Sequence, residues 1–319
     1  MLRIYNTFAF QGNLKNRHYF EGWYFKQISA NQENALSFIP GISLNPKDSH
    51  SFIQIIDGLK GTSQYIRYDL ADFNFNFRNN YLKIGKSIFT ENIISLNIES
   101  ERTSVQGEIH FNKRIKYPQT LLSPGIMGWY SYVPFMECKH GIVSVDQTLT
   151  GSLSVNNTLI NFNKGKGYIE KDWGTSFPEA WIWIQSNNFS AENTSFTFSV
   201  AKIPWMGKFF MGFISFLYHN KQFYLFSTYN GSIIKSVKKK EDIIEITVEN
   251  KKYKLNIITR RKTSSDLAAP SMGEMTRKIK ESINSEVSTK LLKSNGRTIF
   301  EDTGYSAGLE ITDKIFNYL

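Results

Sequence analysis

The chain has 319 residues, with 38 lysines and arginines against 28 aspartates and glutamates, which gives a formal net charge of +10. An apolar fraction of 41% excludes wholesale disorder, and a single cysteine, Cys138, excludes an intrachain disulfide framework. Aromatic residues make up 15% of the chain, and such side chains favour strands and apolar pockets.

Alternation of apolar and polar residues recurs along most of the chain and predicts half-buried strands. Phe73, Phe75 and Phe77 alternate with asparagines, and the same period continues through residues 181–184 and 196–200. Turn signals separate these strings at residues 79–80, 156–157, 187–188, 219–222, 230–231 and 250–252. Short strands at this spacing predict an all-β sandwich or barrel.

Positive charge is concentrated in residues 235–262, which hold ten lysines and arginines against four acidic residues. One interpretation is a solvated hairpin whose lysines protect an exposed sheet edge. The other is a patch for an anionic membrane surface or for nucleic acid. Basic and aromatic residues mostly occupy different segments, which argues against nucleic-acid binding.

One segment has helical spacing. Apolar residues from Met272 to Leu291 step by three and then by fours, and Ser271 with Glu274 forms a capping-box pattern. Gly296 provides a C-terminal stop signal. These features predict an amphipathic helix over about residues 271–294, packed on the outside of a barrel.

Familiar site motifs fail on inspection. Residues 304–308 match a nucleophile elbow, but no histidine follows to complete a hydrolase triad. The five histidines show no metal-ligand spacing, so the sequence predicts neither a metal nor a cofactor.

The longest apolar run, residues 209–218, is about half the roughly 20 residues of a spanning helix, and the first twenty residues lack the apolar block of a secretory signal. We expect a soluble, cytoplasmic protein, with peripheral contact to a membrane as the alternative location.

Three windows combine acids with aromatic residues, and they contain five of the six tryptophans. They are residues 21–26, 127–141 and 167–185, with Glu21, Trp23, Tyr24, Trp129, Tyr130, Glu137, Tyr168, Glu170, Asp172, Trp173, Trp181 and Trp183. In an extended segment, Tyr168, Glu170 and Asp172 share one face, and Glu21 and Trp23 share another.

An acid held neutral by burial or by a second carboxylate can donate a proton, and aromatic faces stabilise a developing cation by about 0.5–2 kcal/mol each. This combination is what protonation of an alkene requires. The alternative interpretation is that the tryptophans belong to a core and that the acids form salt bridges with Lys26 or Lys171.

At these windows the sequence resembles the tocopherol cyclase family. The resemblance rests on residues 21–26, 128–130, 133–138, 140–141, 167–174, 176–178, 181–185, 189, 269–275, 299–301 and 307–310. It implies two tandem lipocalin-like antiparallel β-barrels, which we place at residues 1–160 and 161–319, and kinship with carotenoid hydratases.

The resemblance also implies a reaction that needs no cofactor or metal. A prenylated hydroquinone is protonated at its alkene, and the phenol oxygen attacks the tertiary cation to close a chromanol ring. We predict Asp172 or Glu170 as the proton donor, with Glu21 as the rival. The cage and tail pocket are predicted to comprise Trp23, Tyr24, Trp129, Tyr130, Tyr168, Trp173, Trp181 and Trp183. Glu137, Asp146 or a tyrosine is the candidate for deprotonating the phenol.

Two other functions remain open at this point. The same aromatic pocket would suit a lipocalin-like protein that binds an isoprenoid or other hydrophobic ligand without transforming it. Nucleic-acid binding would rest on the net charge and the aromatic content alone.

Overall fold

The computed structural model describes residues 3–319, which fold almost entirely into β-strands. The predicted all-β class is confirmed. Five short 3₁₀ helices are present in this part of the chain, at Arg3–Tyr5, Leu70–Asp72, Gly128–Tyr132, Thr228–Asn230 and Asp313–Asn317. Within residues 3–319, no helix combines the length and the hydropathy needed to cross a bilayer.

The first sheet has twelve antiparallel strands. They are β1 (Tyr19–Ile28), β2 (Ala35–Leu44), β3 (His50–Asp57), β4 (Thr62–Asp69), β5 (Phe73–Asn76), β6 (Tyr81–Ile84), β7 (Ser87–Thr90), β8 (Ile93–Glu99), β9 (Ser104–Ile115), β10 (Cys138–Val155), β11 (Thr158–Asn161) and β12 (Lys166–Gly174). Their order is β4-β3-β2-β1-β12-β10-β9-β8-β7-β6-β5, with β11 paired to β10. The last strand, β12, therefore lies between the first strand and β10.

The second sheet has ten antiparallel strands. They are β13 (Trp181–Ser186), β14 (Ser195–Trp205), β15 (Lys208–His219), β16 (Gln222–Ser227), β17 (Ile233–Lys240), β18 (Ile243–Glu249), β19 (Tyr253–Arg260), β20 (Ser265–Ser271), β21 (Glu274–Lys293) and β22 (Thr298–Ile311). Their order is β16-β15-β14-β13-β22-β21-β19-β18-β17, with β20 paired to β21.

The chain divides into two compact units. The first comprises the residues up to Asp57, Thr62–Phe177 and Leu267–Lys278, and the second comprises Gly58–Gly61, Pro178–Asp266 and Ile279–Leu319. The main division thus falls at Phe177 and Pro178. The boundary predicted near residue 160 instead lies in the β10–β11 hairpin of the first sheet, so strand β12 belongs with the N-terminal strands.

Each sheet buries one face in its own hydrophobic core, as strand alternation requires. In the first sheet this core includes Trp23, Phe25 and Ile169, together with Phe8 from the segment before β1. In the second sheet it includes Ile182, Ile184, Phe198, Val287 and Leu309. We call these the core faces of the two sheets.

The predicted helix over residues 271–294 is wrong, because the segment forms strand β21 after a tight turn. Met272 and Gly273 both have positive φ, 50° and 81°, which suits a two-residue hairpin turn. A step of four residues fits one helix face, but it is also a multiple of the strand period of two. Glu286 pairs with Lys262 at 2.6 Å and Lys290 with Glu301 at 2.8 Å, and both are contacts across neighbouring strands.

The basic segment forms successive hairpins β17–β18–β19, and β17 is the last strand of the sheet order. The segment therefore has the hairpin geometry and edge position that the first interpretation expects, and binding to an anionic partner stays a prediction. Lys235 pairs with Glu249 at 3.3 Å and Lys239 with Asp313 at 2.7 Å.

Candidate active site

Strand β12 places its side chains on two faces, as the alternation predicts. The strand is continuous from Lys166 to Gly174 and pairs with β1 on one side and β10 on the other. Ile169 and Lys171 lie on the core face. Tyr168, Glu170 and Asp172 lie on the opposite face, which we call the site face of the first sheet.

A histidine and an aspartate face each other on the site face. His140 of β10 is directly opposite Asp172 of β12 in the strand register. The His140 Nδ1 atom lies 2.8 Å from Asp172 Oδ1, within hydrogen-bond distance. His140 Nε2 lies 3.6 Å from Glu170 Oε2, so the imidazole stands between two carboxyl groups.

Glu170 continues this chain of polar contacts into the protein. The Tyr168 hydroxyl donates a 2.6 Å hydrogen bond to Glu170 Oε2, and Tyr24 of β1 is opposite Glu170 in the register. The side chain of Asp172 is 27% exposed, that of His140 14% and that of Glu170 5%. Asp172 is therefore the acid of this group that solvent or a substrate reaches most easily.

Space beside Asp172 comes from a glycine. Gly22 of β1 is opposite Asp172, and a Cβ atom added there would meet only the Ile39 methyl group, at 3.6 Å. That separation is an ordinary van der Waals contact. The β1 side of Asp172 thus has no side chain at the directly opposed position.

Three of these groups could also hold a cation. One ligand atom each from His140, Glu170 and Asp172 lies within 4.8 Å of the others. Imidazole and carboxylate are common ligands of divalent transition metals. The expectation that the protein works without a metal stays a prediction.

The core face of the same strands contains a buried ion pair. Glu21 Oε1 accepts a 2.8 Å hydrogen bond from Lys171 Nζ, and both side chains are fully buried. The amides of Gln11 and Gly12 and the Tyr19 hydroxyl also donate to the Glu21 carboxylate. Burial lowers the pKa of Lys171, with Glu21 acting in the opposite direction, and burial beside the Glu21 carboxylate raises the pKa of Tyr19.

Trp23 and Trp173 lie beside this ion pair rather than on the site face. Trp23 donates from Nε1 to the Phe8 carbonyl at 2.7 Å and is fully buried. The Lys171 ammonium lies 5.0 Å from the Trp23 ring centroid and 4.8 Å from that of Trp173. The structure therefore places Glu21, Trp23 and Trp173 on the core face, away from Asp172 and Glu170.

Other predicted residues lie elsewhere in the first unit. Trp129 and Tyr130 stack on each other with ring centroids 4.0 Å apart in the loop before β10, where Trp129 is half exposed. The Glu137 carbonyl accepts the Thr175 amide at 2.9 Å. Asp146, the other candidate base, pairs with Lys166 at 2.9 Å.

Trp181 and Trp183 belong to the second unit. They lie on the face of β13 opposite its core face, which carries Ile182 and Ile184. Trp181 Nε1 donates to Glu310 at 2.7 Å, and the Trp183 ring covers Gly308 of β22. These two rings are therefore elements of the second sheet.

The sequence analysis missed His140, because it looked for ligand spacing among the histidines. The turn signal alone would not have found its partner. The turn at residues 156–157 pairs Val155 with Thr158, and the same register continued along the strands would place His140 opposite Trp173. Two register shifts along β10 place His140 opposite Asp172 instead.

Comparison with known proteins gives two kinds of match. A family model described as tocopherol cyclase-like matches residues 99–313, which is more than half of the chain and includes His140, Glu170 and Asp172. A probable chloroplastic tocopherol cyclase from Oryza sativa subsp. japonica is 35% identical over 63 residues, 20% of this chain and 13% of that protein. The chloroplastic tocopherol cyclase of Zea mays is 36% identical over 62 residues, 19% of this chain and 13% of that protein. These matches span well under a quarter of either relative.

Solved structures show the same fold at low identity. The crystal structure of CghA has a TM-score of 0.56 and 9% sequence identity, and the match covers 92% of this chain and 88% of that chain. The structure of CghA with Sch210972 gives a TM-score of 0.55 with the same identity and coverage. At this identity the likeness concerns the fold alone.

Proposed function

Because the chain belongs to the tocopherol cyclase-like family, we propose that it is an acid-catalysed cyclase that closes a chromanol-type ring on a prenylated hydroquinone or a related isoprenoid. The observation that supports this most is the chain of contacts Tyr168–Glu170–His140–Asp172 on the site face. It joins one accessible acid to a histidine and a second, buried acid.

The polar neighbours give Asp172 a route for a proton. His140 Nδ1 lies 2.8 Å from Asp172 Oδ1, so a proton can pass between the imidazole and the carboxyl group. Glu170, which accepts the Tyr168 hydrogen bond, lies 3.6 Å from His140 Nε2 on the other side of the ring. The acid form of Asp172 is the proton donor in this proposal.

The reaction follows from that acid form. Asp172 protonates the substrate alkene, a C–H bond forms, and a tertiary cation results. The phenol oxygen attacks the cation to form the C–O bond, and the phenol proton returns to the Asp172 carboxylate. Atoms and protons balance, because the reaction is an isomerisation. We assign the substrate ring to the space beside Gly22, with Tyr24 and Tyr168 as neighbouring aromatic groups, and we assign Glu21 a structural role.

The test is turnover of dimethylphytyl-benzoquinol by purified protein, with chromanol measured by chromatography. Asp172→Asn should lower the rate by about 10²- to 10⁴-fold, the usual contribution of a positioned general acid. Glu170→Gln and His140→Gln should lower it by smaller factors. Glu108→Gln and His110→Gln are matched controls, because both residues are half exposed in the same sheet and lie 3.9 Å apart.

Folded Asp172→Asn protein that works as fast as the wild type would refute the assignment. Turnover that vanishes in EDTA and returns with added zinc would instead identify the three-residue cluster as a metal site. If solvent extraction and mass spectrometry recover only unchanged quinol, the protein binds such a molecule without transforming it.

A further inference from the structure

The loop between β9 and β10, residues 116–137, has an unusual composition. No residue from 117 to 136 is charged, although 21% of the whole chain is. Five large apolar side chains of this loop are strongly exposed, namely Leu121, Leu122, Trp129, Tyr132 and Phe135. We call residues 116–137 the apolar loop. Exposed apolar groups clustered in this way are typical of surfaces that contact another apolar phase.

The two leucines form the tip of a closed turn. Thr120 and Ser123 exchange backbone hydrogen bonds of 2.9 and 3.1 Å, with Leu121 and Leu122 between them. These two side chains are 79% and 77% exposed. The Leu121 carbonyl accepts hydrogen bonds from the hydroxyls of Tyr5 and Tyr132, at 2.9 and 2.5 Å.

Backbone hydrogen bonds between Thr120 and Ser123 close the turn, and the Tyr5 and Tyr132 hydroxyls hold the Leu121 carbonyl. Backbone groups bonded within the protein in this way lose no water partner on entering lipid, which offers no hydrogen-bond partners. Tryptophan and tyrosine, which this loop also exposes, favour the boundary between lipid and water.

We propose that the apolar loop docks on the surface of a phospholipid bilayer, with Leu121 and Leu122 inserted below the headgroups. The composition favours a bilayer over a protein partner, because twenty successive residues without a charge, 117–136, suit the acyl boundary. At the base of the loop, Lys113 and Lys116 are exposed, and Lys116 pairs with Glu91 at 3.1 Å.

Docking here also links the membrane to the proposed active site, and this link rests on the proposed function. The apolar loop leads directly into β10, where His140 follows Cys138 by two residues. The Met127 sulfur of the loop accepts the His140 amide at 3.0 Å. A prenylated quinol dissolves in lipid, so a loop that enters the bilayer beside this strand would take the substrate from its reservoir.

The experiment measures flotation of the full chain with phosphatidylcholine vesicles, which carry no net charge. The double variant Leu121→Ser/Leu122→Ser should bind at least about tenfold more weakly than the wild type, because it removes the inserted apolar area. Leu159→Ser is the matched control, since Leu159 is 73% exposed on the β11 hairpin of the same unit, and it should bind like the wild type. Brominated lipid should quench wild-type tryptophan fluorescence, and Trp129→Phe should remove most of that quenching.

Several results would overturn the proposal. The proposal is wrong if the wild type and the double variant bind equally, or if the wild type does not bind. It is also wrong if the wild type binds only to anionic vesicles and salt abolishes that binding. A double variant that turns a dimer into a monomer, with no vesicle binding by the wild type, would assign the loop to a second copy of the chain. Flotation needs no turnover, so failure of the proposed reaction leaves this test intact. If both hold, the double variant should lose activity on quinol in vesicles and keep it on quinol in detergent.

Discussion

The two sheets share a strand order but differ in what they place at equivalent positions. In each, the first strand pairs with the last, as β1 with β12 and β13 with β22, and the three strands after the first follow in sequence on its other side. At this pairing of first and last strands, the first sheet carries Glu170 and Asp172, and the second carries Trp183 opposite Glu310.

The faces opposite the cores show the difference most clearly. In the first sheet, Gly22 leaves room beside Asp172, whereas in the second sheet the Trp183 ring covers Gly308. The shared topology thus supplies a pair of long adjacent strands twice. The two sheets therefore differ in side-chain volume and charge at these strands rather than in topology, and the proposed active site lies in the first sheet.

The buried ion pair of the first sheet should give the largest effect. Lys171→Met leaves the Glu21 carboxylate buried without its cation, so we expect the free energy of unfolding to fall by about 3–5 kcal/mol. The comparison is Lys262→Met in the second sheet, which removes an exposed partner of Glu286 and should cost about 1 kcal/mol or less. Urea unfolding of both variants measures the difference.

The double variant Glu21→Gln/Lys171→Met controls for loss of packing. It should recover part of the stability lost in Lys171→Met, because no uncompensated charge remains. Equal losses in Lys171→Met and Lys262→Met would show that burial of the Glu21–Lys171 pair has no particular energetic weight.

Gly22 of the first sheet and Gly308 of the second sheet should respond differently to an added methyl group. A Cβ at Gly308 would lie 2.5 Å from the Trp183 ring, so Gly308→Ala should cost about 1–3 kcal/mol of unfolding free energy. Gly22→Ala should leave stability nearly unchanged. Gly22→Val should lower kcat/KM about tenfold, since it fills the space beside Asp172. Full activity in folded Gly22→Val protein would mean that the substrate does not use this space.

The sequence predicted the strands, the turns and the site face, because these depend on local alternation. The faces of Tyr168, Glu170 and Asp172 followed from period two alone. The same rule failed at residues 271–294, where a spacing of four fits both a helix and a strand. Polar residues at positions 281, 285 and 289 are buried there, and their burial depends on neighbouring strands that the sequence does not reveal.

The partners of the acids depended on register, which a single sequence does not fix. Both Glu21 and Asp172 lie close to tryptophans in the sequence, and Glu21 was the rival of Asp172 and Glu170 as the predicted proton donor. Pairing of β1 with β12 places Glu21 beside Lys171 in the core, while pairing of β10 with β12 places His140 beside Asp172. The different surroundings of these two acids therefore arise from contacts between residues more than thirty positions apart.

The smallest expected effect is on the pH dependence of stability, and it is tested with one histidine from each sheet, His50 and His219. Burial lowers the pKa of His50, and the hydrogen bond with the Asp48 carbonyl partly opposes this shift. Burial also lowers the pKa of His219, and the charge of Asp302 partly opposes that shift. The unfolded chain therefore binds protons more readily than the folded protein. Stability from these groups is fully present above the ordinary histidine pKa, and it decreases as the pH falls below about 6.5 towards the folded values.

Replacement by glutamine should flatten the dependence of the unfolding free energy on pH between 7.5 and 5.5. The change is bounded by about 1.4 kcal/mol per pH unit for one proton. His50→Gln should have the larger effect, because His50 is buried and hydrogen-bonded to Tyr65 at 2.6 Å, whereas His219 is half-buried. His110→Gln, at a half-exposed position, should leave the slope unchanged. A larger change in His219→Gln than in His50→Gln would show that burial does not rank these two sites, and that Asp302 offsets little of the effect of burial on the His219 pKa.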